Sequence, residues 1–281
     1  MTMLTVGCHL SSSGGYLAMG RQAEALGANT FQFFTRSPRG GAARAFDPVD
    51  AAALRAFLAE KSFGPVVAHA PYTLNPAAAE GRTREFAAMV MASDLAVLEH
   101  LPGCLYNFHP GSHVGQGTAA GVERIAALLN DCMSRDMTVT VLLETMAGKG
   151  SEIGGRFEEL AAILDRCRVP EHVGVCLDTC HVSDGGYDVG EGLERTLDEL
   201  ARLVGVDKLA AVHLNDSKNP PGSHKDRHEL LGKGFLGLET FRRIVNCPRL
   251  KGLPMILETP NDLPGYAAEI ALLRSMEETA G

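Results

Sequence analysis

Short apolar runs alternate with amphipathic stretches along the whole chain. In the amphipathic stretches, apolar residues recur at intervals of three and four, which is the spacing of one face of an α-helix. Three such stripes are Val122, Ile125, Ala126 and Leu129; Phe157, Leu160, Ala161 and Leu164; and Leu193, Leu197, Leu200 and Val204. The apolar runs, typical of buried strands, lie at residues 4–8, 30–34, 66–68, 104–108, 138–143, 173–177, 209–212 and 255–257. This repeated alternation predicts parallel strands joined by crossover helices.

Polar residues end the last six of these runs at a regular spacing. They are His69, His109, Glu144, Asp178, His213 and Glu258, and successive members lie 40, 35, 34, 35 and 45 residues apart. Each interval is close to the length of one βα unit, and eight such units close into a (β/α)8 barrel with its active site at the C-terminal ends of the strands. We therefore predict an α/β protein in which residues 1–281 form a single TIM-barrel domain.

The alternative fold is an open doubly wound sheet. Such a sheet normally places its ligand in one crevice between two strands. Here polar residues end six consecutive strands, and a barrel gathers them at one mouth whereas an open sheet spreads them apart. The pattern favours the barrel.

Composition limits the setting in which the chain works. No apolar run approaches the roughly 20 residues of a membrane span, and the first residues lack the basic and then apolar pattern of a signal peptide. The seven cysteines include no C-x-x-C pair and are interpreted as reduced thiols of a cytoplasmic protein that does not bind membranes. The net charge of −8 argues against nonspecific coating of nucleic acid but leaves room for a local basic surface.

The predicted barrel mouth carries an unusual number of metal-binding side chains. The Asp226-x-His228 pair follows the seventh strand, and His181 follows Asp178 by three residues. Together with the strand-end residues they make five imidazoles and four carboxylates. So many carboxylates in one place repel one another unless cations lie between them, and mixed histidine and carboxylate sets suit zinc first, with manganese or iron as substitutes.

Each of these residues has a plainer interpretation when it is taken alone. His69 fits a hydrogen-bonded core histidine, Asp178 fits a cap on the next turn, and Asp226 with His228 lies in a charged run typical of a solvated loop. Cys176 and Cys180 are interpreted as packing residues. The regular placement of the polar residues at successive strand ends is what favours a metal site.

Five segments resemble the signature motifs of the endonuclease IV family. The members of this family are zinc-dependent apurinic/apyrimidinic endonucleases. They are Asn-Phe-His-Pro-Gly-Ser-His at 107–113, Gly-Val-Cys-Leu-Asp-Thr-Cys-His at 174–181, His-Leu-Asn-Asp-Ser-Lys at 213–218, Asp-Arg-His at 226–228 and Ile-Leu-Glu-Thr at 256–259. The resemblance covers essentially the whole chain and implies a TIM barrel with three zinc ions.

The resemblance also implies a ligand for each ion. His69 and His109 would hold the first zinc, which Glu144 would bridge to the second; Asp178, His213 and Glu258 would complete the second, and His181, Asp226 and His228 would hold the third. Glu144 and Glu258 would act in catalysis. The implied reaction is cleavage on the 5′ side of an abasic site in double-stranded DNA, which leaves a 3′-hydroxyl and a 5′-deoxyribose phosphate.

Residues in the mouth loops are expected to contact the DNA. The resemblance places Tyr72 near the abasic nucleotide and Arg39 in the minor groove. Further cations in these loops are predicted to contact phosphates: Arg36, Arg44, Lys218, Lys225 and Arg227. The chain departs from the family where Gly40 and Gly41 follow Arg39.

We expect the protein to be a monomer.

Two other functions fit parts of the sequence. A sugar isomerase or epimerase on the same barrel would use one or two metals at the strand ends, and the trio of His181, Asp226 and His228 exceeds that need. A binding or regulatory protein could retain the ligand set without turnover, because a complete ligand set does not prove catalysis.

Overall fold

Eight parallel strands close into a barrel in a computed structural model that describes residues 3–39, 41 and 45–278. The strands are β1 (Val6–Leu10), β2 (Gln32–Phe34), β3 (Val67–His69), β4 (Leu105–Phe108), β5 (Thr140–Glu144), β6 (Val173–Asp178), β7 (Leu209–His213) and β10 (Met255–Leu257). Neighbours follow chain order, and β1 pairs with both β2 and β10 to complete the ring. The predicted (β/α)8 barrel is confirmed.

The helices surround the barrel. Those in the described part of the chain are α1 (Tyr16–Ala25), α2 (Pro48–Glu60), α3 (Gly81–Leu98), α4 (Thr118–Cys132), α5 (Phe157–Leu164), α6 (Thr179–Asp184), α7 (Leu193–Leu203), α8 (Gly237–Asn246) and α9 (Leu263–Ser275). Asp47 and Asp262 cap the first turns of α2 and α9, where Pro occupies an early helical position. Within the described residues no helix is both long enough and apolar enough to cross a membrane.

The predicted helical stripes face the barrel. On α4, Val122, Ile125 and Leu129 are buried in the main hydrophobic core, and on α7 so are Leu197 and Leu200. Burial of these faces, rather than intrinsic helix propensity, stabilises helices of this length.

The inside of the barrel has two layers, which we call the apolar layer and the polar layer. The apolar layer is a separate buried cluster of one residue from each of six strands: Val67, Leu105, Leu142, Cys176, Ala211 and Ile256. Two residues further along the same strands lies the polar layer: His69, Asn107, Glu144, Asp178, His213 and Glu258. Because side chains two apart in a strand share a face, both layers point inward, about 7 Å apart along each strand.

Besides shifts of one or two residues at the ends of other strands, two parts of the described fold differ from the sequence prediction. Strand β1 extends to Leu10 rather than ending at Cys8, because His9 pairs in register with Gln32 of β2. A short antiparallel ribbon, formed by β8 (Asp216–Ser217) and β9 (His228–Glu229), was not predicted. Two-residue strands are too short to show an alternating pattern.

Candidate metal centre

The nine predicted ligands meet at the C-terminal mouth of the barrel. Glu144, Asp178 and His213 are the last residues of their strands, as is His69, whereas His109 and Glu258 come directly after theirs. The other three ligands lie beyond the barrel strands: His181 in α6, Asp226 in the segment before β9, and His228 in β9.

Ligand atoms from eight of the nine residues cluster in three overlapping groups within the described chain; Asp226 belongs to none of these groups, although its Oδ1 lies 3.0 Å from His181 Nε2. The groups are His69, His109 and Glu144; Glu144, Asp178, His213 and Glu258; and Asp178, His181 and His228, with the atoms of each group within 4.8 Å of one another. Glu144 and Asp178 each belong to two groups. Atoms bound tetrahedrally to one zinc lie about 3.3 Å apart, given bonds of about 2.0–2.2 Å. Many contacts in these groups are near that value.

Fixed hydrogen bonds decide which nitrogen of each ring faces a carboxylate. His69 Nδ1 donates to the carbonyl oxygen of Ala70 over 2.6 Å, so in the neutral ring Nε2 carries the lone pair. This Nε2 lies 3.2 Å from Glu144 Oε2. His181 Nδ1 lies 2.9 Å from the carbonyl oxygen of Thr145, and its Nε2 lies 3.0 Å from Asp226 Oδ1. A carbonyl oxygen can only accept, so these tautomers follow from the backbone.

His213 and His228 show the same arrangement. Nε2 of His213 donates to Gln32 Oε1 over 2.8 Å, and Nδ1 lies 3.1 Å from both Glu144 Oε1 and Glu258 Oε2. Nε2 of His228 is buried and has no hydrogen-bond partner among the described residues; it lies 3.6 Å from Asp226 Oδ1. A lone pair opposite a carboxylate is repulsive unless a proton or a cation lies between them. The donor set therefore fits divalent metal ions.

Asp178 is both a helix cap and a member of the cluster. Its Oδ1 accepts a hydrogen bond from the backbone N–H of His181 over 2.8 Å and so caps α6. Its Oδ2 lies 3.7 Å from His213 Nδ1 and 3.7 Å from His228 Nε2. The cap and the metal role were alternatives in the sequence, and each oxygen of the carboxylate serves one of them.

A buried carboxylate holds the loop that delivers Asp226. Asp184 at the end of α6 accepts hydrogen bonds from Ser217 Oγ over 2.7 Å and from the backbone N–H of Asp226 over 2.9 Å. Asp226 has a φ of 54°, in the left-handed region that costs a non-glycine residue about 1–3 kcal/mol. These contacts stabilise a strained backbone that directs the Asp226 side chain to His181.

The charged forms of the cluster stabilise one another. Burial raises the pKa of Glu144, but His213 and His109 outweigh it and hold that pKa well below its usual value. Burial lowers the pKa of His181, but Asp178, Asp226 and Glu144 outweigh it and raise that pKa well above its usual value. Without metal, protons would therefore take the place of cations in this layer.

Neighbouring groups are neutral. Burial lowers the pKa of His9 to about 4, so its ring is uncharged near pH 7. Burial raises the pKa of the Cys176 thiol to about 11 and raises that of Cys180 further, which agrees with their interpretation as packing residues.

Sequence reasoning missed three amides in the polar region of the barrel. Gln32, Asn107 and Asn215 are fully buried, and each donates to a predicted carboxylate ligand over 2.6 to 2.7 Å. The sequence did contain a signal for them: Gln32 and Asn107 are polar residues inside otherwise apolar strands, and Asn215 comes two residues after His213.

Arg36 does not lie among the exposed cations, so its position gives no support to the predicted contact with phosphate. Its side chain is only 4% exposed, and Nη2 pairs with Asp94 on α3. Asp94 also accepts hydrogen bonds from Thr35 Oγ1 over 2.6 Å and from the hydroxyl of Tyr106 over 2.9 Å. Arg36 is thus buried with Asp94 and anchors the start of the loop that follows β2.

The other predicted DNA contacts lie in exposed positions. Tyr72 is 57% exposed; its ring packs edge-on against Phe34, and its backbone N–H donates to the carbonyl oxygen of Pro38 over 3.0 Å. Further exposed cations lie in these loops: Arg39, Lys218, Lys225 and Arg227. Arg44 and Gly40 fall outside the described residues.

Comparisons with known proteins agree with this geometry. A family model described as a xylose isomerase-like TIM barrel matches residues 21–276. The chain is 56% identical to a probable endonuclease 4 of Alkaliphilus oremlandii, with 97% of each chain covered, and 55% identical to one of Clostridium botulinum, covering 97% of this chain and 99% of that one. Endonuclease IV from Thermus thermophilus is structurally similar at a TM-score of 0.86 and 36% identity, over 97% of this chain and 98% of that one.

More distant structures share the barrel. A D-tagatose 3-epimerase-like protein aligns at a TM-score of 0.71 and 15% identity over 96% of both chains. At that identity the likeness shows the fold alone.

Proposed function

Because the chain belongs to the endonuclease IV family, we propose that it hydrolyses the phosphodiester bond 5′ to an abasic site in duplex DNA, leaving a 3′-hydroxyl and a 5′-deoxyribose phosphate. The observation that supports this most is the set of three overlapping ligand groups at the barrel mouth. Divalent ions bound there would lower the pKa of the attacking water and neutralise charge on the phosphate and the leaving oxygen.

Three ions are proposed to bind at the mouth, with zinc the first choice and manganese or iron as substitutes; their ligand sets follow the three groups, except that Asp226 takes the place of Asp178 at the third ion. His69 and His109 would hold the first ion and Glu144 would bridge it to the second. The second would also be held by Asp178, His213 and Glu258, and the third by His181, Asp226 and His228. A shared carboxylate keeps the groups close enough to act on one phosphate.

Two carboxylates are proposed to act on the reacting atoms. Glu144 Oε1 and Glu258 Oε2 each lie 3.1 Å from His213 Nδ1. Burial raises the pKa of both carboxylates, but charged neighbours, His213 first among them, outweigh it and hold both pKa values well below the usual range. Both carboxylates are therefore ionised near pH 7. Ionised carboxylates accept hydrogen bonds only, so they would orient the attacking water, whose acidity would come from the bound ions.

The surface around the mouth suits a duplex with one missing base. Arg39, Lys218, Lys225 and Arg227 are exposed, as phosphate contacts require, and the Tyr72 ring lies 5.7 Å from that of His109. Turning an abasic sugar out of the helix breaks no base pair, so the energetic cost is low. Selectivity would come from the difference in cost between turning out an abasic sugar and turning out a paired nucleotide.

We propose that residues 1–281 act as one domain and as a monomer.

A duplex with one tetrahydrofuran abasic analogue tests the proposal. This sugar cannot undergo β-elimination, so any nick must come from hydrolysis. We expect a single nick on the 5′ side of the analogue, a 3′ end that a polymerase extends, and loss of activity with a chelator that zinc restores.

An undamaged duplex and a panel of ketoses are the controls. Cleavage of both duplexes at equal rates would contradict abasic-site selectivity, and turnover of a ketose without DNA cleavage would replace the proposal with a sugar epimerase. Tight binding of abasic DNA without any nick would leave a binding protein.

A further inference from the structure

Three neutral amides orient the carboxylates of the polar layer. Asn107 Nδ2 donates to Glu144 Oε2 over 2.6 Å, and Asn215 Nδ2 donates to Asp178 Oδ2 over 2.7 Å. Gln32 Nε2 donates to Glu258 Oε1 over 2.6 Å. Glu144 and Asp178 thus each have one oxygen held by an amide, and Glu258 has both, because Asn215 Nδ2 also donates to Glu258 Oε2 over 3.3 Å.

An amide suits this task because it carries no charge. A carboxylate accepts several hydrogen bonds, so an amide that holds one oxygen leaves acceptor capacity free. A lysine or arginine in the same place would orient the carboxylate equally well but would repel a metal ion. Partners of this kind, which contact ligands rather than ions, fix ligand geometry in metal sites.

Gln32 contacts two residues of the same ligand group. Its Oε1 accepts a hydrogen bond from His213 Nε2 over 2.8 Å, and its Nε2 donates to Glu258. The orientation of the amide is fixed because Glu258 can only accept and because His9 Nδ1 lies 3.1 Å from the same Nε2. Gln32 therefore sets the tautomer of His213 and the direction of Glu258 together.

We propose that Gln32 is a positioning residue that sets the metal affinity of the group formed by Glu144, Asp178, His213 and Glu258. Gln32 aims His213 Nδ1 and one oxygen of Glu258 at the same point and lies outside the ligand set. It makes no hydrogen bond to His69, His109, His181 or His228, so its effect is confined to one of the three groups. The inference rests on the metal sites proposed above.

Zinc titration of metal-free Gln32→Met tests this role. Methionine has nearly the same volume but neither hydrogen-bonding atom of the amide. We expect one zinc per chain to bind about 10–100-fold more weakly than in the wild type, the usual effect of losing such a partner. The other zinc equivalents should bind as before, and the visible spectrum of the Co²⁺-loaded protein should change.

Thr30→Val is the matched control. Thr30 is also fully buried, two residues before Gln32, and its hydroxyl donates to the carbonyl oxygen of Pro65 away from the ligands. The substitution removes one buried hydrogen bond, so zinc affinities should stay at the wild-type values. If Gln32→Met does not fold by circular dichroism, Gln32→Asn replaces it, since asparagine keeps the amide but is too short to reach both partners.

The outcomes separate this inference from the proposed function. Equal zinc affinities in the wild type and in the folded Gln32 variant would overturn the positioning role and leave the function intact. An equal loss at every site would also overturn it, since that indicates a general structural defect. Failure of the wild type to bind more than one zinc would instead contradict the proposed metal sites.

Discussion

The apolar layer and the polar layer inside the barrel lie on the same six strands, two residues apart, yet they have opposite chemistry. Leu142 and Cys176 of the apolar layer precede Glu144 and Asp178 of the polar layer, and all four are fully buried. Equal burial therefore serves two purposes. The apolar layer stabilises the fold by removing hydrocarbon from water, whereas the polar layer contains charges whose burial is unfavourable unless they are compensated.

The structure compensates the polar layer in three ways. Carboxylates face imidazoles, amides such as Asn215 hold one oxygen of a carboxylate, and Asp178 also caps a helix. The remaining repulsion between lone pairs and carboxylates is what metal ions would remove. The comparison shows that two residues on the same face of a strand, only two positions apart, can serve different purposes: one stabilises the fold and the other provides the proposed chemistry.

Glu258→Gln should have the largest effect on chemistry. The change keeps the size of the side chain but removes one charge from the polar layer. We expect the rate of abasic-site cleavage to fall by at least about 100-fold, because losing even a partner outside the ligand set typically costs about 10–100-fold. Binding to the abasic duplex should be largely retained, as measured by fluorescence anisotropy.

Glu60→Gln is its control, because Glu60 is an exposed carboxylate (74% exposed) at the end of α2. Near-normal turnover of Glu258→Gln would show that the polar layer at β10 is not part of the chemistry.

Leu142→Ala should separate the layers by stability. Leu142 is fully buried in the apolar layer, so its truncation should lower the free energy of unfolding by about 2–5 kcal/mol. Chemical denaturation measures this change. The metal content of the folded variant should equal that of the wild type, and loss of metal from folded protein would show that the two layers are not independent.

Metal removal should invert the pH dependence of stability. In metal-free protein the pKa values of His109 and His181 are raised above 6.5, so the stability that they contribute is present below pH 6.5 and is lost as pH rises through their folded-state values. Glu144 and Glu258 have lowered pKa values, so their contribution is present above pH 4.5 and is lost only at lower pH.

We therefore expect metal-free protein to be less stable at pH 8 than at pH 6. Zinc-loaded protein should show the opposite trend, because zinc binds deprotonated ligands. Thermal unfolding at both pH values tests this, and parallel trends for the two forms would contradict the compensation described for the polar layer.

Arg39→Ala should have the smallest effect and leave both layers intact. If Arg39 contacts a phosphate, the slope of log affinity against log salt should flatten by about one unit, with lower kcat/KM and unchanged metal content. Arg135→Ala removes an exposed cation between α4 and β5, at the opposite end of the barrel, and serves as the control. Identical slopes for wild type and Arg39→Ala would remove this loop from the DNA footprint.

The sequence predicted what depends on local periodicity and missed what depends on distant partners. His69, Glu144 and Asp178 could be placed at one mouth because strand ends recur at the length of a βα unit. Arg36 was misplaced because its partner, Asp94, is 58 residues away on helix α3. Gln32 was missed because an amide in an apolar strand becomes meaningful only when its neighbours in space are known.

Elemental analysis of protein purified without chelator tests most directly whether the polar layer is a site for several metal ions. The three ligand groups predict more than two equivalents of divalent metal per chain, mainly zinc, in protein that cleaves an abasic duplex. A reproducible value of one equivalent or none in active protein would contradict the three-ion site.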